Sequence, residues 1–250
     1  MSGVPVAVQL YSVREDCEKD LPETLEAIAK MGYDGVEFAG YYGREASQLK
    51  GLLDGLGLSV AGTHTGWNTL EGDELERTMD FNEELGNRFL ICPGLPEERR
   101  CSIAAWRETA ALMNDMAERA SKRDMQVGYH NHAVEFQLMD GETPWDVFFG
   151  NTREEVVMQL DTGNAMHGGG DVLSILKRFP GRATTIHLKE FSEGNDQALV
   201  GEGEMPWKDI FKLCETEQGT QWYIVEQETY AHPPLKCVEL CLQNVRGLLE

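Results

Sequence analysis

The stretch GYHNHAVEF at 128–136 is followed along the chain by QLDTGN at 159–164, TIHLKE at 185–190 and IVEQE at 224–228. Each is a short apolar segment closing on residues that bind divalent metals or move protons. These are His130, His132 and Glu135, then Asp161, then His187 and Lys189, then Glu226 and Glu228. Each segment reads as a β-strand, and helical patterns separate them. A parallel barrel brings such strand ends to one face, where a single ion can collect ligands from several strands.

Working outward, the rest of the chain repeats the same unit. Val6–Leu10 is a short strand pattern, and Asp20, Pro22 and Glu23 open a helix with Leu25, Ile28 and Ala29 on one face and Gly32 at its end. Strand patterns follow at Gly35–Phe38, Leu58–Ala61 and Phe89–Cys92, with helices over 44–55 and 71–86. Ile103, Trp106, Ala110, Met113, Ala117 and Ala120 recur at three- and four-residue spacing and predict a long amphipathic helix over 102–123. Strands at 126–131, 156–161, 183–188 and 222–226 then alternate with helices near 144–149, 171–178 and 206–217 and from 234 onward. Eight strand–helix alternations without a low-complexity linker predict a closed (β/α)8 barrel forming a single domain over 1–250. The competing open, doubly wound sheet lacks a GxGxxG after its first strand.

At 250 residues and 41% hydrophobic content the chain can build that core. No apolar run approaches the roughly 18 residues a membrane helix needs. The start MSGVPVAVQL lacks the features of a secretory leader, so none is expected. The six cysteines form no CxxC pair, which reads as reduced thiols in a cytoplasmic protein. A net charge of −21 disfavours nucleic acid and anionic membrane surfaces, whose binding rests on Lys and Arg. Solubility accounts for most of that charge, and an acidic site concentrating a divalent cation is compatible with it.

Strand alternation decides which side chains share the lumen. Asp161 lies on the side of Gln159, His187 on the side of Thr185 and Lys189, and Glu226 on the side of Ile224 and Glu228. One acidic residue after a buried strand is more often a solvated rim group than a site. Four such strands in succession reverse those odds. A mixed His/Asp/Glu shell suits one divalent ion, Mn²⁺, Zn²⁺, Mg²⁺ or Co²⁺, and argues against a thiolate-preferring ion.

These segments resemble the xylose-isomerase-like TIM-barrel superfamily of sugar isomerases, epimerases, inosose dehydratases and endonuclease IV. The resemblance covers nearly the whole chain. QLYSVR at 9–14 resembles the first strand of the inosose-dehydratase-like branch, MGYDGVEF at 31–38 the second, and GTHTG at 62–66 the third with its His. YHNH at 129–132 stands where many relatives read LENH, and LDTGN, IHLKE, GEGEMPW and IVEQE follow in the family's order.

The resemblance implies metal ligands at His130, Asp161, His187 and Glu226. Position 130 departs from the pattern, being His where relatives have Glu. A register shift that makes Glu135 the ligand stays open beside it. Family epimerases use two carboxylate bases, removing a proton α to a carbonyl and stabilising the enediolate with the metal. Here Glu226 is the clearest surviving base, and Glu135, Lys189 or His132 must supply the other proton. The implied activity is isomerisation or epimerisation of a neutral sugar or polyol ketone. Its alternative is elimination from the same site, as dehydration or keto-glycoside cleavage. Glu37, His64, Trp67, Asn164 and Tyr11 are the expected substrate contacts, His167 is a loop residue near the rim, and Glu202 and Glu204 replace the basic residues a phosphate would need.

The expected partner is therefore a small sugar or polyol. Since barrels of this kind often pair, a homodimer is also expected. A non-catalytic carbohydrate-binding barrel is the reading from another class. Endonuclease chemistry fits neither the charge nor the supply of ligands.

Overall fold

The computed structural model describes residues 3–250. Eight strands, β1 Val6–Gln9, β2 Gly35–Phe38, β3 Ser59–His64, β4 Phe89–Cys92, β5 Gln126–His130, β6 Val157–Asp161, β7 Thr185–Leu188 and β8 Trp222–Val225, close into one barrel in sequence order. Every neighbouring pair is parallel, β8 against β1 included. The closed single-domain TIM barrel expected from the alternation is the fold found.

Period-two alternation sorts the strand residues into two apolar layers. Val6, Val8, Val36, Phe38, Leu90, Val127, Tyr129, Met158, Leu160, Ile186 and Val225 pack outward into the large cluster shared with the helices. Ala7, Ala61 and Ile224 form one inner cluster and Phe89, Ile91 and Val157 another, with Trp222 packed against both. The lower lumen is thus a filled apolar plug. Glycines make room inside it. A Cβ on Gly35 would come within 3.0 Å of the Trp222 ring, and one on Gly128 within 2.7 Å of both Ile91 and Val157.

Among the described residues, ten helices cover the barrel: α1 Arg14–Met31, α2 Ala46–Leu56, α3 Trp67–Leu70, α4 Glu74–Leu85, α5 Ile103–Ser121, α6 Pro144–Asn151, α7 Thr162–His167, α8 Val172–Arg178, α9 Trp207–Leu213 and α10 Pro234–Leu249. The helix expected to open at Asp20 does so, but as a kink within a longer one. Asp20 leaves helical geometry, and its carboxylate caps the Glu23 N–H at 3.0 Å, where Pro22 offers no donor. The helix expected over 71–86 starts later, as α4 at Glu74, because Glu71 is extended and Gly72 adopts positive φ, and the single turn α3 before it was not anticipated. The helix expected over 206–217 ends as α9 at Leu213 and continues as one π-helical turn to Gln218. α7 was not anticipated; it opens on Asp161 itself, so His167 ends a short helix and does not sit in a loop. Among the described residues, no helix is long and apolar enough to cross a membrane.

Gly128→Ala should force the Ile91–Val157 layer apart. We expect it to lower stability by about 1–3 kcal/mol, read as an earlier denaturation midpoint at unchanged slope. An unchanged midpoint would mean that the lumen is looser than its contacts imply.

Candidate functional site

The upper lumen is polar where the lower lumen is apolar. His130 ends β5, Asp161 ends β6, His187 lies in β7 and Glu226 directly follows β8. One ligand atom from each of these four residues falls within 4.8 Å of the others, and all four residues are buried. His187 Nδ1 stands 3.1 Å from Glu226 Oε2 and 3.9 Å from Asp161 Oδ2, and His130 Nε2 is 3.9 Å from Glu226 Oε2. The four residues expected as a metal site are therefore brought to one point.

The donors fit a divalent cation. Asp161 Oδ1 caps α7 by accepting the Asn164 N–H at 2.7 Å, whereas the buried Oδ2 has no hydrogen-bond partner. The buried His130 Nδ1 has none either. Orphaned buried polar atoms are costly unless something else satisfies them. Burial pushes the Asp161 carboxyl up to about 7, with the Glu226 charge adding and Lys189 opposing. Burial, together with the neighbouring His187 and His64 imidazoles, holds His130 well below the ordinary histidine range, so it is a neutral imidazole. Two imidazoles and two carboxylates form a set that Mn²⁺, Zn²⁺ or Co²⁺ accepts. His64 adds a third nitrogen, grouped with His130 and His187 within 4.8 Å.

Beneath this cluster lies Glu37. His187 Nε2 meets Glu37 Oε2 at 2.6 Å, so the imidazole is oriented by a carboxylate with Nδ1 facing Asp161 and Glu226. Gln9 donates to the same oxygen at 2.7 Å and Gln159 to the other at 2.7 Å, while His64 Nε2 lies 3.3 Å away. A register shift in the β2–β3 pairing sets Gly62 opposite Glu37, and a Cβ there would sit 2.7 Å from its carboxylate. Burial alone would lower the His187 pKa, yet Glu37 and Glu226 raise it to about 10. Burial likewise opposes the Glu37 charge, and His64 and His187 outweigh it. Glu37 was expected to touch substrate. It is fully buried and its oxygens are occupied, so it positions His187 instead.

Above the cluster a cavity of ≈ 380 Å³ is bordered by Tyr11, His64, His130, His132, Glu226 and Glu228, among others. No Lys or Arg is among its described lining residues. Lys189 approaches from the side, with Nζ 3.5 Å from Asp161 Oδ2, 3.4 Å from Glu226 Oε2, and paired to Glu228. Burial lowers its pKa, but Asp161 and Glu226 outweigh that, and the ammonium stays charged. The glycine of DTGN is what admits it: a Cβ on Gly163 would sit 2.7 Å from Lys189 Cγ. Asn164 borders a second cavity of ≈ 310 Å³ beside Lys189, its side-chain oxygen 3.4 Å from Nζ.

Two expected site residues lie elsewhere. The backbone turns after β5, and the Glu135 carboxylate accepts the Tyr129 hydroxyl at 2.6 Å and the His132 N–H at 2.8 Å. It is held under the loop, away from the four-residue cluster, so it is neither the fifth-strand ligand nor an available acid. Trp67 is 5% exposed in the core, with Arg99 over its ring, and does not border the cavity.

Two residues that spacing did not reveal hold the site together. Asn131, inside YHNH, bonds both the N–H (2.8 Å) and the carbonyl (3.1 Å) of Asp161 and so fixes β5 to β6 at the ligands. Glu190, the last residue of IHLKE, accepts N–H groups from Phe191, Gly201, Met205 and the Trp207 indole, folding GEGEMPW around itself. Its adjacency to Lys189 in a buried strand end was the available signal.

A barrel with this strand-end cluster defines a class of enzyme scaffold, and comparison with known proteins agrees. Residues 25–240 match the model of the xylose isomerase-like TIM barrel family, and the chain belongs to that family. It is similar to an inosose dehydratase of Erwinia tasmaniensis, 25% identical over 251 residues, covering 84% of this chain and 83% of the relative. Among solved structures it superposes on a sugar phosphate isomerase/epimerase from Parabacteroides distasonis with a TM-score of 0.87 at 23% identity, covering 100% and 96% of the two chains. An L-ribulose 3-epimerase gives a TM-score of 0.70 at 14% identity, covering 98% and 96%.

Two outcomes test the cluster. With its pKa near 10, His187 carries a proton at neutral pH that an ion must displace. Calorimetry of Mn²⁺ binding at pH 7 in buffers of differing ionisation enthalpy should therefore show release of about one proton, plus a fraction from Asp161, with affinity rising with pH. Binding without proton release would contradict the assignment of His187. Glu37→Gln should weaken Mn²⁺ binding by roughly 10–100-fold while the fold survives, and unchanged affinity would show that Glu37 does not orient the ligand.

Proposed function

We propose that the chain is a divalent-metal-dependent enzyme that removes the proton α to the carbonyl of a neutral sugar or polyol ketone. The observation that carries this reading is the position of Glu226. Its Oε2 contacts His187 and Lys189 within the buried cluster, and the same residue borders the cavity where a small molecule would sit. Burial opposes its charge, but Lys189 and His187 outweigh burial and keep it a carboxylate well below the usual range. It is thus ionised at neutral pH, as a general base must be before it takes a proton. A divalent ion held by His130, Asp161, His187 and Glu226 supplies Lewis acidity that lowers the cost of charge developing on the substrate carbonyl oxygen.

The supply of protons favours elimination over epimerisation. An epimerase returns a proton to the opposite face, and the carboxylate that would do so at position 130 is an imidazole here. Glu135 is bound to Tyr129 and the His132 N–H and does not replace it. Elimination needs one base and one acid. Glu226 takes the α-proton, the C–O bond on the neighbouring carbon breaks, and the oxygen leaves protonated as water, with a double bond conjugated to the carbonyl. His132, bordering the same cavity as Glu226, is the acid we assign. The inosose dehydratases among the curated relatives are in keeping with this reading. With no Lys or Arg among the described residues lining that cavity, a neutral substrate is favoured over a phosphorylated one.

Isomerisation or epimerisation is the second reading. It rests on Glu228, another carboxylate bordering the cavity and already paired with Lys189.

Incubation with inososes and keto-sugars in D₂O under Mn²⁺, followed by mass spectrometry, separates the readings. Loss of water is the expected result, and deuterium gained without loss of mass would favour isomerisation. Glu226→Gln should reduce either reaction by roughly 10²–10⁴-fold. Exchange that persists at the wild-type rate in that variant would remove Glu226 as the base.

A further inference from the structure

A lobe of ≈ 280 Å³ opens beside the central cavity, and His64 is part of the wall of both. Its chemistry differs from that of the cavity it adjoins. Tyr41 and Phe81 form one side, their ring centroids 4.2 Å apart. The other walls carry threonines whose hydroxyls already bond within the protein, Thr65 also to the Thr63 hydroxyl at 3.1 Å. Thr65 donates to the Thr63 carbonyl at 3.2 Å, Thr69 to Gly66 at 2.8 Å and Thr78 to Thr69 at 2.7 Å. The Tyr41 hydroxyl accepts from Asn82 at 3.1 Å. Arg77, the one charged residue on this wall, is 76% exposed at the side chain and paired with Glu74.

A sugar hydroxyl entering this lobe would leave water for an aromatic side and for walls whose free donors are chiefly the Tyr41 hydroxyl and the exposed Arg77. An aromatic ring would leave little hydration behind and would lie against the packed Tyr41–Phe81 pair. The polar cavity on the other side of the site, bordered by Asn164, Lys189, Asp196 and Thr229, is where hydroxyls find donors and acceptors. The mouth of the barrel is therefore amphipathic, polar beside Lys189 and apolar beyond His64.

We propose that the substrate is a glycoside of a keto-sugar, with its sugar over the buried cluster and an aromatic aglycone in the lobe beside the packed Tyr41–Phe81 pair. This rests on the sugar-processing reading above and adds a substrate class to it. Phe81 and Tyr41 are specificity determinants in this arrangement, and neither touches the reacting atoms.

The test compares affinities, so it does not depend on turnover. Phenyl and methyl glucosides and galactosides, in both anomers, are titrated into Mn²⁺-loaded protein by calorimetry. At least one phenyl glycoside should bind about tenfold tighter than its methyl partner. Phe81→Ala should remove that advantage and leave the methyl glycoside's affinity unchanged. If Phe81→Ala does not fold, Phe81→Leu, which retains packing volume, should reduce the advantage without moving the methyl value. Equal affinities in every pair, no binding by any phenyl glycoside at millimolar concentration, or a phenyl advantage untouched in the folded Phe81 variant would each overturn the inference. Failure of the D₂O experiment with a phenyl preference intact would instead sink the reaction and leave the lobe's ligand standing.

Discussion

The contact between His187 and Glu37 joins the two halves of the barrel lumen, and the rest of the site depends on it. An imidazole caught between Glu37 on one nitrogen and Glu226 on the other has no rotational freedom left. It fixes which nitrogen faces the ligand cluster. It also links that cluster to a row of amides, Gln9 and Gln159, that belong to opposite sides of the barrel. Below this row the lumen is an apolar plug; above it, charge accumulates. Burying this much charge is tolerable only with dense hydrogen bonding and a cation to balance the carboxylates. The Asp161 oxygen that has no hydrogen bond and only Lys189 at 3.5 Å marks where that balance is incomplete within the protein itself.

Much of the fold is legible in the sequence because a parallel barrel states itself twice. Apolar runs recur as strands, and amphipathic periods recur between them, so the count of eight comes from the chain alone. Boundaries were less legible where backbone conformation, and not periodicity, decides them. Asp20 caps a helix that had already started at Arg14, and the positive φ of Gly72 delays the start of α4 to Glu74, apart from the turn of α3. Neither event changes the hydrophobic pattern.

Within the site, Asp161, His187 and Glu226 were legible as charged residues terminating buried strands. Glu37 was visible as a charged strand end, but its job was not. Its partner His187 lies 150 residues away, and only barrel closure brings the two together. Glu135 misled because sequence distance to a strand end does not reveal the turn that follows. That turn folds the carboxylate back onto Tyr129. Trp67 lay next to a site motif yet packs inward as the first residue of α3. Asn131 acts on backbone groups, which leave no residue-type pattern to find, and Glu190 acts mostly on backbone, its place beside Lys189 the one trace of its role.

The account stands or falls on one ion shared by four strand ends. A crystal of the Mn²⁺-loaded protein, with data collected at a wavelength where manganese scatters anomalously, tests this most directly. One anomalous peak is expected, bonded to His130, Asp161, His187 and Glu226. A map with no peak there, or a peak bonded to other residues with Asp161 and Glu226 left out, would contradict it.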